Sequence, residues 1–217
     1  MNNNEMYNEN SIQQLAYDIL RKYVLTVNQI YRYQICEIEF YVRNDNHNDQ
    51  YVHCSIEQLN KYRFYFHKYK NGTFKSGTWK GLDICFGSTD DNGNKTYFGV
   101  LIRSIMNIDT HEFIEGPCKV VNKILENLNC NNTQDFFNKY NSLDNSPFDK
   151  YHISDNNIYN KKGIIRISIE NDNNQLIYKS TRIGLSDLYP EFKLKLYRFC
   201  TLKNQIKKER KNFIAYV

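Results

Sequence analysis

The stretch from Ile30 to Arg43 constrains this chain most, because its side chains alternate as in a half-buried strand. Cys36, Ile38, Phe40 and Val42 fall on one face; Tyr33, Ile35, Glu37, Glu39 and Tyr41 fall on the other. Glu37 and Glu39 therefore share a side, with Cα atoms about 7 Å apart. Buried without partners, two such carboxylates are strongly unfavourable, and one of them titrates late. Facing solvent on an edge strand they need no explanation. Lining a cleft, they become an acid–base candidate. Tyr33, Ile35 and Tyr41 on the same side argue against full exposure, and the pattern leaves the choice open.

Around this strand the chain reads as a mixed α+β domain. Ser11-Ile12-Gln13-Gln14 has the form of a capping box, and Ile12, Leu15, Ala16, Ile19, Leu20, Tyr23 and Val24 recur at helical spacing, predicting a helix over about 12–25. Asn71-Gly72 is the turn of a hairpin in "YRFYFHKYKNGTFKSGTW". "GLDICFG", "YFGVLIRSIMNI", "GIIRISIEN" and "LKLYRFC" are strands, and "STRIGLSDLYP" is a strand or turn. Gly116-Pro117 opens a helix with Val120, Val121, Ile124 and Leu125 on its buried side. A further helical piece is expected at 133–140, within an Asn-rich insertion or loop region at 127–161. "KKERK" reads as the solvated face of a helix.

These elements predict one domain over 11–217, built on a curved, mainly antiparallel sheet flanked by helices, after a disordered tail at 1–10. With 217 residues, 41% hydrophobic and 15% aromatic, the chain is large and apolar enough to bury a core. Six cysteines without a Cys-x-x-Cys pair read as reduced thiols, not as a zinc site or disulfide framework. No apolar run suits a signal peptide or membrane span, so the expectation is a monomeric, soluble nuclear or cytoplasmic protein without membrane contact. The net charge of +5 permits a polyanionic partner without requiring one.

Arg103, inside "GVLIRSI", must meet a carboxylate, a phosphate or carbonyls. A salt bridge to Glu37 or Glu39 and the positioning of a water predict the same neighbours. Asp83 is a second polar residue in an apolar strand. His53, Tyr65 and His67 are explained most simply by surface and edge packing. Motifs of nucleotide cradles, zinc hydrolases and serine hydrolases are missing from the sequence.

Taken in order, several segments resemble the alkyladenine (3-methyladenine) DNA glycosylases. "CEIEFY" is similar to that family's E-T-E-A-Y strand, and "DQYVH" to the loop that carries an aspartate and then a histidine. "VLIRSI" looks like its L-x-R-A strand and "EGPCKVV" like its Gly-Pro helix start. "STRIGL" and "LYRF" look like its P-R-I-G-I and W-R-F segments. The resemblance spans residues 36–199.

It implies a glycosylase-like fold that excises a damaged, alkylated or deaminated purine from DNA by base flipping, without metal or cofactor. Glu39 would be the base that activates water for attack at C1′ of the sugar, and Arg103 would hold that water and the carboxylate. Tyr41 and His53 would sandwich the everted base, with Tyr65 or His67 as a further wall and Glu37 beside them. Lys80, before Gly81, stands where the family has an intercalating tyrosine. Gly87 or Ser88 stands where it selects purines with an asparagine, and 71–78 looks like an insertion. The bond-breaking positions are thus matched, while those that grip duplex DNA and choose the base are not. Two alternatives stay open: a glycosidase acting on free nucleosides or nucleotides, and a non-catalytic nucleobase- or nucleotide-binding protein, a sensor or sequestering module.

Overall fold

A computed structural model of the chain describes residues 9–140, 164–170 and 172–216. The expected tail thus lies outside the described residues over 1–8, as does the Asn-rich region over 141–163. In chain order the elements are α1 (Glu9–Lys22), β1 (Tyr23–Val27), β2 (Tyr31–Asn44), β3 (His47–Asn48), β4 (Arg63–Phe66), β5 (Leu82–Cys85), β6 (Ser88–Thr89), β7 (Lys95–Asn107) and β8 (Phe113–Glu115). There follow α2 (Pro117–Asn127), α3 (Thr133–Tyr140), β9 (Ile165–Ile169), β10 (Tyr178–Ser180), α4 (Pro190–Lys193), β11 (Arg198–Cys200) and β12 (Ile214–Ala215).

The strands form one open sheet in the order β12-β10-β11-β2-β7-β5-β4, with β1, β3, β6, β8 and β9 attached alongside. The pairings are antiparallel, so the domain is of the expected α+β class. Among the described residues no helix is long and apolar enough to cross a membrane.

The sheet divides the molecule by side-chain alternation. One face carries the cross-strand rows Phe64–Ile84–Val100–Phe40 and Ile102–Ile38–Phe199. These join Ile12, Ala16, Ile19 and Leu20 of α1 and Val120, Val121, Ile124 and Leu125 of α2 in the main core. Phe40 meets Phe199 edge-on at 5.5 Å and Phe98 at 5.9 Å, geometries favoured by the ring quadrupole. Gly116, at φ 111°, makes the turn before Pro117 that a residue with a Cβ adopts only under strain. The opposite face carries the row Tyr65–Asp83–Leu101–Glu39–Arg198–Ser180, and this is where the polar residues collect.

Four expectations are corrected. Helix α1 starts at Glu9 and ends at Lys22, so Glu9 and Asn10 leave the expected tail, and Tyr23 and Val24 leave the helix for a β-branched strand paired with both β2 and β9. Tyr33 and Ile35 do not share a face with Glu37 and Glu39. The β2–β7 register shifts twice: Ile35 pairs with Ile105, Glu37 with Ser104 and Ile38 with Ile102. Cys36 is the extra residue of β2 and Arg103 that of β7. The first bulge turns Tyr33 and Ile35 into the core beside Ile38 and Phe40.

The turn at Asn71-Gly72 forms, but its return arm is a single bridge between Lys68 and Phe74, and β4 pairs with β5 instead. Phe74 is occupied in stacking on Phe137 of α3, 4.6 Å between centroids. "KKERK" is a left-handed turn at Glu209 followed by a one-turn 3-10 helix over 210–212, not the face of an α-helix.

Gly99 of β7 lies beneath the side-chain amide of Gln58, which donates to Asp83 Oδ2 at 3.1 Å. A Cβ there would stand 2.4 Å from that oxygen and 2.7 Å from Gln58 Nε2. Gly99→Ala is therefore expected to separate this buried pair and cost about 1–3 kcal/mol. The urea midpoint should fall with an unchanged m-value.

Candidate functional site

Glu37 and Glu39 leave the sheet on its polar side, and both are buried, at 1% and 0% exposure. Glu37 Oε1 accepts from Arg103 Nε at 3.0 Å and from Arg198 Nε at 2.7 Å, and Oε2 accepts from the Ser104 hydroxyl. The bulge at Arg103 makes this possible. It lets two successive residues of one strand, Arg103 and Ser104, reach the same carboxylate. Arg103 also spans to Glu39, its Nη1 lying 3.2 Å from Oε2. Burial pulls the Arg103 pKa down, but Glu39 and Glu37 outweigh it and hold the guanidinium charged, with its pKa above the ordinary value.

Glu39 receives two further donors. The Tyr41 hydroxyl donates to Oε2 at 2.9 Å, and the Ile183 backbone N–H donates to Oε1 at 2.8 Å. Burial and the Glu39 charge raise the Tyr41 pKa well above the ordinary phenol value, so it remains a donor. One face of its ring lies on the Arg182 guanidinium, 4.5 Å from Cζ to the centroid. Arg182 is itself fixed by Asp49 at 2.6 Å and by the carbonyls of Phe40 and Phe192. Tyr41 is half-buried and Arg182 is 3% exposed, so a buried cation covers one face of the ring. Three carboxylates and three arginines thus balance in one buried region, where an unmatched charge would be costly.

A second cluster occupies the same face. Asp83, 2% exposed, accepts from His67 Nε2 at 2.7 Å. The His53 ring meets His67 at 4.4 Å and Tyr65 at 5.9 Å between centroids. Its Nε2 lies 3.0 Å from Lys75 Nζ and its Nδ1 3.4 Å from the Tyr65 hydroxyl. His53 is exposed at the surface, and its two ring nitrogens are each directed at a neighbouring side chain. Lost hydration, with His67 beside it, pushes its pKa down to about 4. Asp83 and Glu39 are second neighbours in the cross-strand row, with Leu101 between them, which places their Cα atoms about 10 Å apart.

Of the residues singled out in the sequence, Glu37, Glu39, Tyr41 and Arg103 form one contact network, and His53, Tyr65 and His67 form the other. Ser104 and the Ile183 N–H were missed, and Asp49, Arg182 and Arg198 lie in segments that the resemblance matched without giving them a role. The signal that marks Arg103, a cation within an apolar run, is also present in "STRIGL" and "LYRFC". Among the described residues no group of three His, Cys, Asp or Glu side chains is arranged to hold a metal ion.

No family model matches the chain. The uncharacterized protein L759 of Acanthamoeba polyphaga mimivirus is 39% identical to it over 211 residues, which span 94% of this chain and 91% of that protein.

Two measurements probe the site. Glu37→Ala leaves Arg103 and Arg198 buried without their shared carboxylate, and should cost about 3–5 kcal/mol in denaturant unfolding. For His53, the folded pKa of about 4 lies below the unfolded value. Between roughly pH 6.5 and 4 the unfolded chain therefore binds a proton that the folded chain does not, and stability falls as pH falls through that window. His53→Gln should show a shallower loss of thermal midpoint from about pH 6.5 to 4.5 than the native chain.

Proposed function

The chain belongs to one family with the uncharacterized mimivirus protein L759, and from the geometry of its buried carboxylates we propose that it hydrolyses an N-glycosidic bond, excising a damaged purine from DNA. The observation that carries this reading is the contact of Glu39 with Arg103 and Tyr41 at a bulge, on the face that also presents His53, Tyr65 and His67. The sequence resemblance gives these same positions their roles.

The chemistry follows from the charges. Glu39, paired with a charged Arg103, takes a proton from a water whose oxygen attacks C1′ of the sugar. The electrons of the C1′–N bond leave with the base. An alkylated purine departs neutral, and a deaminated one takes up a proton from solvent. Everting the nucleotide costs a few kcal/mol, roughly what stacking on one or two aromatic rings returns, at about 1–3 kcal/mol per base. Tyr41 supplies one such ring, backed by a cation that cannot move.

One observation favours a second reading. Glu39 is 0% exposed and its oxygens already receive three donors, an arrangement equally suited to a nucleobase-binding protein without turnover. On the hydrolytic reading, the Ile183 N–H or the Tyr41 hydroxyl yields its place to the water when substrate binds.

The two readings separate on oligonucleotides and free nucleosides bearing hypoxanthine, ethenoadenine or 7-methylguanine, with liberated base measured by chromatography. Hydrolysis predicts base release that Glu39→Gln lowers about 10²–10⁴-fold, while substrate is still bound. Binding without release, in the native chain and the variant alike, identifies the non-catalytic protein.

A further inference from the structure

The turn at 207–211 carries four cations, Lys207, Lys208, Arg210 and Lys211, against one carboxylate, Glu209. Five residues thus hold +3 of the chain's net +5. All four cations are exposed, and among the described residues Lys207, Lys208 and Lys211 make no ion pair. Glu209 is turned back on its own loop, toward Asn212 Nδ2 at 3.5 Å.

The backbone beneath these side chains is fixed. The N–H groups of Lys207 and Lys208 donate to the Glu115 carboxylate at 3.1 and 2.8 Å. The Lys208 carbonyl accepts from Arg198 Nη2 at 2.9 Å. Ile206 and Phe213 are buried on either side, and the Phe213 ring lies 4.3 Å from the Arg198 guanidinium. Arg198 is the same side chain that binds Glu37. The loop therefore rests on the face of the sheet that carries Glu39, Tyr41 and Arg103, held one arginine away from them.

We propose that the 207–211 turn is a contact surface for a nucleic-acid backbone. Its cations are outward, unenclosed and spread along a rigid turn, which suits a repeating polyanion better than a single small anion. Fixing the backbone in advance lowers the ordering cost of binding, so more of the attraction appears as affinity. The choice of nucleic acid over an anionic lipid surface rests on the reading of the adjacent face as a nucleobase site. The electrostatic surface itself does not depend on it.

The test compares the native chain with the quadruple variant Lys207→Ala, Lys208→Ala, Arg210→Ala, Lys211→Ala. Binding to labelled duplex and single-stranded DNA is followed by anisotropy between about 50 and 200 mM salt. Each lost phosphate contact removes about 0.9 from the duplex salt slope, so the slope should fall by about 2–4 and affinity at low salt by at least about tenfold. Circular dichroism and thermal midpoint should match the native chain, since the four side chains are exposed and the bond of Arg210 Nη1 to the Asn204 carbonyl, 3.3 Å, lies at the surface of the loop itself. An unchanged slope and affinity overturns the inference. So does binding to phosphatidylserine vesicles that the variant loses while its DNA binding stays native. Base release from damaged oligonucleotides and from free nucleosides, each at saturating concentration and measured on both proteins, reads the catalytic proposal separately. A reduced slope without any base release keeps the contact surface and removes the enzyme, and base release with an unchanged slope does the reverse.

Discussion

Glu37, a carboxylate with almost no exposed surface, draws Arg103 and Ser104 from β7 and Arg198 from β11 onto one point, and the polar face of the sheet takes its layout from this convergence. Desolvating such groups is costly, and the mutual attraction offsets that cost only when every partner is present. The arrangement is therefore close to all-or-none. Arg103 is held by Glu37 before it reaches Glu39, and Glu39 in turn orients Tyr41. The order of support runs from the deepest carboxylate outward to the residue best placed to meet a ligand.

The two sides of one sheet divide the labour. Aliphatic and aromatic rows anchored on α1 and α2 supply the cohesion, since burial of such side chains is worth about 1.5–3 kcal/mol each. The other side holds ionised groups in fixed positions on strands instead of loops. Fixed donors and charges need no reorganisation when a reacting group arrives, which is what electrostatic catalysis or selective binding requires.

Much of this was legible in the sequence where the deciding forces are local. The alternation from Glu37 to Val42, the Asn71-Gly72 turn and the Gly116-Pro117 helix start follow from backbone preference and periodicity alone. So did the need of Arg103 for a carboxylate, because an arginine in an apolar strand has few other choices. Tyr33 and Ile35 were misplaced because a bulge is a property of two strands at once. Cys36 fits an apolar alternation as well as its neighbours do, and nothing within β2 announces that β7 will skip a residue opposite it. Arg182 and Arg198 satisfy the rule that picked out Arg103, yet each lies in a short segment whose burial depends on distant strands. Tyr65 and His67 lie two residues apart, but His53 joins them from a separate loop, a contact without a periodic signature.

The paired bulges carry an evolutionary consequence. One extra residue in β2 and one in β7 cancel, so the pairing beyond Ile38 and Ile102 resumes in phase with the pairing before Ile35 and Ile105. Losing either residue alone would send one end of the strand pair to the wrong side of the sheet. Descendants of this chain can discard the kink only by removing both residues together, and in doing so they would forfeit the arginine that joins the two glutamates. The irregularity is thus locked in by the very ladder it interrupts.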